Sequence, residues 1–207
     1  MSKKVNRLSR LGIMGGTFDP VHFGHLVAAE GARDVLGLEQ VIFIPAGRPP
    51  HKPDCEITDP WDRYMMTSLA VASNEFFQVS SLEIDRSGPS YTIDTVQAIK
   101  GLYPGAQIYF ITGADAVLEI LTWKNVERLL SLCCFVAATR PGYQLDELWE
   151  KLGVLIQFPK QDILSMEVPA LQISSTDIRR RVREGRTIKY LLPEPVEEYI
   201  VKHKLYR

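Results

Sequence analysis

Short apolar runs alternate with stretches that carry apolar residues at helical spacing, from about residue 11 to the C-terminus. Residues 11–14, 40–45, 76–84, 107–112 and 132–137 are rich in aliphatic, β-branched or aromatic side chains and predict strands. Residues 26–36, 92–102, 114–121 and 125–130 predict helices. Another helix starts at Asp59 or Asp62 and carries Met65, Met66, Leu69, Ala70 and Ala72. Gly37 reads as a helix C-cap, Pro45 stops the second strand, and Gly113 ends the run at 107–112. Further on, the pattern predicts a helix at 145–152, a strand at 154–158 and an arginine-rich helix within 174–185. The last helix spans 193–205, with Pro193 and Pro195 near its start. Residues 46–59 read as a proline-rich loop and 87–90 as a turn.

Strands alternating with helices of this length imply βαβ units and a parallel sheet, an α/β fold of Rossmann-like architecture. Ligands on such sheets sit beyond the C-terminal ends of the strands. The expected layout is one domain over 1–207, with a core at about 11–172 and a C-terminal helical part at about 173–207.

Composition narrows the function class. The 207 residues suit one α/β domain, and a chain of this size buries enough surface to fold without disulfide or metal staples. A net charge of −1 argues against a protein built to hold DNA or RNA. Cys55, Cys133 and Cys134 form no disulfide framework and no C-x-x-C pair. The basic residues 3–7 are followed by no long apolar stretch, and no run approaches membrane-spanning length. The expectation is a soluble cytoplasmic protein with no membrane or nucleic-acid partner; self-association is left open.

Two segments carry the chemistry. In the first, Gly15, Gly16, Thr17, Phe18, Asp19 and Pro20 follow an apolar run and lead to His22-Phe23-Gly24-His25, where a helix begins. A helix N-terminus offers unpaired N–H groups and a positive dipole end, which suit a phosphate. The glycines are expected to allow close approach and a left-handed backbone, and Asp19 to cap or stabilise the turn. The spacing matches neither G-x-G-x-x-G nor a P-loop, which disfavours an NAD(P)-dependent oxidoreductase. His22 and His25 also read as an H-x-x-H zinc pair, but no third ligand stands at sensible spacing, so no protein metal site is expected. A structural turn with two packing histidines is the plain alternative. The second segment is Ile173-Ser174-Ser175-Thr176-Asp177-Ile178-Arg179. Consecutive hydroxyls favour a helix start, and Arg179 one turn in can fork onto phosphate oxygens. An ordinary capped helix with a solvated basic face explains that segment equally well.

The first segment resembles the H-x-G-H motif of the nucleotidyltransferase superfamily, and 173–179 resembles its S-S-T-x-x-R motif. With residues 45–52, 90–95, 113–116 and 122–124, the ordered set is similar to bacterial nicotinate-nucleotide adenylyltransferases over nearly the whole chain. Residues 141–169 match no motif of that family.

The resemblance implies a Rossmann-like nucleotidyltransferase fold and adenylyl transfer from ATP to nicotinate mononucleotide, a step of NAD biosynthesis. Mg²⁺ is implied on the ATP phosphates, with few or no protein ligands. The implied ATP set is Gly15, Gly16, Thr17, Phe18, His22, His25, His51, Lys52, Gly113, Asp115, Ile173, Ser174, Ser175, Thr176 and Arg179. Of these, His22, His25 and Arg179 are catalytic. The implied mononucleotide set is Gly15, Thr17, Lys52, Tyr91, Thr92, Trp123 and Arg140. Nicotinamide mononucleotide or phosphopantetheine as the second substrate, and a non-catalytic nucleotide-binding regulator on the same fold, are the competing readings.

Overall fold

The computed structural model describes residues 8–50, 57–113, 116–117, 119–139, 163–169 and 171–207, with the side chain of residue 121 left aside. The strands are β1 (Arg10–Gly16), β2 (Gln40–Pro45), β3 (Phe77–Val79), β4 (Gln107–Gly113), β5 (Cys134–Thr139) and β6 (Ile163–Glu167). They form one sheet in the order β3-β2-β1-β4-β5-β6, every neighbouring pair parallel. The sheet grows in opposite directions from β1, so the crevice beyond the C-terminal ends of β1 and β4 is the switch point where such sheets take ligands.

The helices are α1 (Phe23–Leu36), α2 (Pro60–Val71), α3 (Thr92–Leu102), α4 (Val126–Leu130), α5 (Ser175–Arg183) and α6 (Glu194–Lys202), with a 3-10 turn at Ile120–Thr122. Strand alternation divides the core in two. Met14, Val41, Phe43 and Ile111 pack with Ala28, Ala29 and Ala32 of α1, Met66 of α2, and Val196 and Ile200 of α6. Leu11, Ile13, Ile42, Phe110 and Phe135 pack with Ile93, Val96 and Ile99 of α3 and Leu129 of α4 on the other face. Tyr199 of α6 donates to Asp62 of α2 at 2.7 Å, which ties the C-terminal helix to the sheet's helical layer.

Most expected elements are present with small shifts. Gly37 closes α1 in the left-handed conformation, and Asp59 caps α2 by accepting from the Trp61 N–H. Two expectations need correction, and one strand is not among those expected. The run at 76–84 yields only a three-residue strand. Past Val79 the chain turns on itself: the Ser81 carbonyl accepts the N–H groups of Ile84 and Asp85, and Ser81 Oγ donates to Asp85 at 2.6 Å. Local serine bonds thus replace ladder pairing. The run at 132–137 starts late, because Leu132 and Cys133 donate back to the Leu129 carbonyl as the end of α4. The edge strand Ile163–Glu167 has no counterpart among the expected strands; five residues paired on one side leave little periodicity to read. The helix expected at 145–152 and the strand expected at 154–158 lie outside the described residues. Among the described residues no helix is long and apolar enough to cross a membrane.

Candidate active site

Gly15 and Gly16 are the last residues of β1, paired with Ile44 and Pro45 of β2. They supply no left-handed backbone, contrary to the sequence expectation; the turn residue with positive φ is Phe18, at 50°. Space is what excludes a side chain at Gly15, where a Cβ would lie 2.9 Å from the Phe110 ring. The Phe18 ring is buried beneath the site. It meets the His25 ring edge-on at 5.1 Å and Phe43 at 5.8 Å, so it backs the histidine rather than facing a ligand. The peptide bond from Asp19 to Pro20 is cis.

His22 is the N-cap residue of α1, and its ring stacks on His25 with centroids 3.8 Å apart. A Cβ on Gly24 would meet the His22 ring at 3.0 Å, so this stack depends on glycine there. The His22 N–H donates to Nδ1 of His25 at 3.2 Å. Burial pushes His22 down to about 4, and burial followed by the proximity of His22 holds His25 well below its ordinary value. Both rings are therefore neutral at pH 7. A neutral His25 that accepts at Nδ1 carries its proton on Nε2, leaving that N–H as a donor. Nδ1 of His22 is buried without a hydrogen-bond partner, the kind of unspent polar atom found where a site awaits its ligand.

The second segment closes against this turn. Ser174 caps α5 by accepting from the Asp177 N–H at 3.2 Å. Ser175 Oγ donates to the Pro20 carbonyl at 2.8 Å. Arg179 Nη1 donates to the Asp19 carbonyl at 2.7 Å and lies 3.9 Å from the Asp19 carboxylate. The Ile173 carbonyl comes within 3.8 Å of the Cβ position at Gly24, beside the start of α1. Two helix N-termini, α1 and α5, thus meet across one turn. Asp19 does stabilise this turn, through long-range bonds: its carboxylate accepts from Tyr206 Oη at 2.8 Å and from the Thr58 N–H at 3.5 Å. Burial first, then the facing carboxylate, pushes the Tyr206 hydroxyl pKa up.

Arg63 is a site residue that sequence reasoning missed. It is 1% exposed, and its guanidinium donates to the carbonyls of Thr17 at 2.7 Å, Thr58 at 2.9 Å and Gly47 at 3.2 Å. It joins the β1 turn to the loop after β2. Nothing in the helical pattern of 60–71 marks it, since an arginine on a helix usually faces water. Burial lowers its pKa from the ordinary arginine value.

A second cavity, about 350 Å³, opens beside the start of α3. Tyr91, Thr92, Trp123 and Lys124 line it, with Pro50 and Ser90. Trp123 packs edge-on against Phe110 and Phe135 at 6.0 and 5.9 Å, so core and pocket roles coincide in one side chain. Behind the cavity lies Glu83, buried, accepting from Thr95 Oγ1 at 2.6 Å; burial raises its pKa, against the pull of the Thr95 and Ser90 hydroxyls. Ser90 Oγ accepts the Arg48 N–H at 3.1 Å, and the Ser90 N–H donates to the Arg48 carbonyl at 2.9 Å. The loops after β2 and β3 are thereby fixed to one another.

Of the sequence-predicted residues, the structure brings Gly15, Gly16, Thr17, Phe18, His22, His25, Ile173, Ser174, Ser175 and Arg179 to one turn. Thr176 follows on α5 and is exposed. Tyr91, Thr92 and Trp123 come together at the second cavity, and Gly113 ends β4 at the switch point. His51, Lys52, Asp115 and Arg140 lie outside the described residues. Among the described residues no group of three or more His, Cys, Asp or Glu is arranged to hold a metal ion.

The cytidylyltransferase-like family model matches residues 13–181. A probable nicotinate-nucleotide adenylyltransferase of Moorella thermoacetica is 60% identical over 204 residues, covering 98% of this chain and 94% of the relative. A protein of the same description from Thermoanaerobacter sp. is 56% identical over 204 residues, covering 98% and 97%. Among solved structures, Plasmodium falciparum nicotinic acid mononucleotide adenylyltransferase complexed with NaAD superposes with a TM-score of 0.78 at 22% identity, covering 96% of this chain and 97% of that one. That likeness speaks to the fold alone. The sequence relatives cover nearly the whole chain at high identity, and with them the chain belongs to the nicotinate-nucleotide adenylyltransferase family.

Proposed function

We propose that this chain carries out its family's reaction, adenylyl transfer from ATP to nicotinate mononucleotide, with the α1–α5 junction as the triphosphate site. The observation that carries this reading is the pair of bonds from Ser175 and Arg179 to the Pro20 and Asp19 carbonyls. They aim two positive helix ends and an arginine at one spot, beside two neutral imidazoles.

The chemistry asks little of the protein beyond positioning and charge stabilisation. The nucleophile is a phosphate monoester, whose second pKa is about 6, so it is largely dianionic at neutral pH and needs no general base. One of its oxygens bonds to the α-phosphorus of ATP while the bond from that phosphorus to the bridging oxygen breaks. Pyrophosphate leaves with the electron pair. Nε2–H of His25 and the His22 ring donate to the phosphates as that charge develops. Backbone N–H groups at the start of α5, Thr176 and Arg179 hold the departing β- and γ-phosphates. Ser175 acts chiefly by shaping the turn, since its hydroxyl donates to the Pro20 carbonyl, whereas Ser174 accepts the Asp177 N–H as the cap of α5 and keeps its own O–H for a phosphate oxygen. ATP enters as its magnesium complex. The Asp19 carboxylate, engaged by Tyr206, Thr58 and Arg179, suits turn support better than metal ligation.

The 350 Å³ cavity is the pyridine pocket in this reading, with Trp123 against the ring and the Tyr91–Thr92 backbone at its substituent. His51, Lys52, Asp115 and Arg140 keep their expected roles as part of the proposal. Incubating the protein with ATP, Mg²⁺ and either nicotinate or nicotinamide mononucleotide, then identifying the product, tests it. Deamido-NAD with release of pyrophosphate is the expected result. No product with either mononucleotide would favour the non-catalytic regulator.

A further inference from the structure

The pocket beside α3 holds one basic side chain among its described lining residues, Lys124. Its Nζ sits 4.2 Å from the centroid of the Tyr91 ring and 3.6 Å from Oδ2 of Asp94. The ring and the carboxylate both belong to the start of α3, so the ammonium is tethered at the pocket wall rather than left to wander in solvent. Tyr91 is the N-cap of α3 and offers no side-chain cap; its carbonyl accepts the Asp94 N–H at 3.1 Å, and the positive end of this eleven-residue helix starts at Thr92, which lines the cavity. Glu119 also lines the cavity and works in the opposite electrostatic sense.

We infer that Lys124 is a specificity-determining residue: its charge favours a mononucleotide whose ring bears a carboxylate over one bearing a carboxamide, and Asp94 limits that preference. The inference rests on the cavity being the pyridine pocket. An ammonium and a helix N-terminus both attract an anion, while a neutral amide gains little from either. The pair is only partly shielded from water, with Lys124 45% and Asp94 39% exposed at the side chain, so the effect is that of a rim charge rather than a buried clamp. Asp94 competes with the substrate carboxylate for the same ammonium.

The test compares kcat/KM for nicotinate and nicotinamide mononucleotide in the wild-type protein, Lys124→Gln and Asp94→Asn. Lys124→Gln is expected to lower the acid-to-amide ratio by roughly three- to tenfold, with the larger loss on the acid. It should also flatten the salt dependence of the acid's kcat/KM. Asp94→Asn is expected to raise the ratio, by roughly two- to threefold. A Lys124→Gln ratio equal to wild type, or equal losses with both mononucleotides, overturns the inference while leaving the adenylyl-transfer reading standing. A wild-type protein that adenylylates neither mononucleotide overturns both.

Discussion

The Arg179 guanidinium donates through Nη1 to the backbone carbonyl of Asp19 at 2.7 Å, across 160 residues of sequence. Arginine in this position has two tasks. Nη1 braces the turn, and under the proposed function the rest of the planar fork serves phosphate oxygens. A lysine presents one compact ammonium rather than a planar fork, so it cannot reproduce the geometry of both tasks.

Arg179→Ala is therefore expected to raise the KM for ATP and to lower kcat by about a hundredfold or more, the scale of losing one pre-aimed donor. Arg179→Lys should recover stability more fully than it recovers kcat. Steady-state kinetics at saturating mononucleotide, with a thermal melt on the same preparations, checks both. ATP kinetics unchanged in the alanine variant would remove Arg179 from the phosphate site.

His22→Ala should lower kcat by about 10²- to 10³-fold while the fold persists. The ring is buried with Nδ1 unpartnered, so its removal leaves no broken hydrogen bond at that atom. Near-normal turnover in a folded variant would make the stacked histidines packing residues only.

Burial holds the folded-state pKa of His22 at about 4, against an ordinary value of 6.5. Between these values the unfolded chain takes up a proton that the folded chain refuses, so stability rises with pH across the window. The contribution is fully present above 6.5 and is lost as pH falls towards about 4. Its full size is about 3 kcal/mol. Denaturant unfolding of wild type and His22→Asn at about pH 7.5 and about pH 5 should show the wild type losing about 2 kcal/mol more than the variant between them. Parallel losses would mean that His22 titrates normally in the folded chain.

Arg63→Met should destabilise the protein by about 3–5 kcal/mol, because it removes the buried guanidinium from three partly buried acceptors at once. The carbonyls concerned are those of Thr17, Gly47 and Thr58. Urea denaturation measures the loss, and a change within about 1 kcal/mol would argue that water replaces the guanidinium. Where the variant still folds, its defect should fall on both substrates, since Arg63 ties the turn after β1 to the loop carrying Pro50.

Much of this protein is legible in its sequence because the forces involved are local. Helical spacing over 26–36 and Gly37 after it locate α1, and the Asp59 cap and the proline at position 60 locate the start of α2. The β-rich run at 107–112 forms the central strand beside β1, where both faces are buried. The motifs at 15–25 and 173–179 likewise mark two helix starts with glycine, histidine, hydroxyl and arginine residues that suit a phosphate. The short third strand and the sixth strand escape such reading, because serine bonds and edge pairing decide them.

What the chain pattern cannot carry is which distant residues share a bond. Arg63, Tyr206 and Glu83 look like surface or terminal residues in sequence, yet each braces the turn or the loops beneath the site, because tertiary packing brings carbonyls, carboxylates and hydroxyls to them. The same holds for the glycine turn: the Phe110 ring excludes a side chain at Gly15, the Phe18 ring crowds one at Gly16, and the left-handed residue is Phe18. Sequence by itself determined the order of elements and the residue types gathered at the starts of α1 and α5, since both follow from near-neighbour propensities. Only the tertiary structure decided that they close on one turn, that burial lowers the pKa of both histidines, and that a lysine stands at the wall of the cavity beside α3. Burial and long-range hydrogen bonding are properties of the packed chain, not of any segment within it.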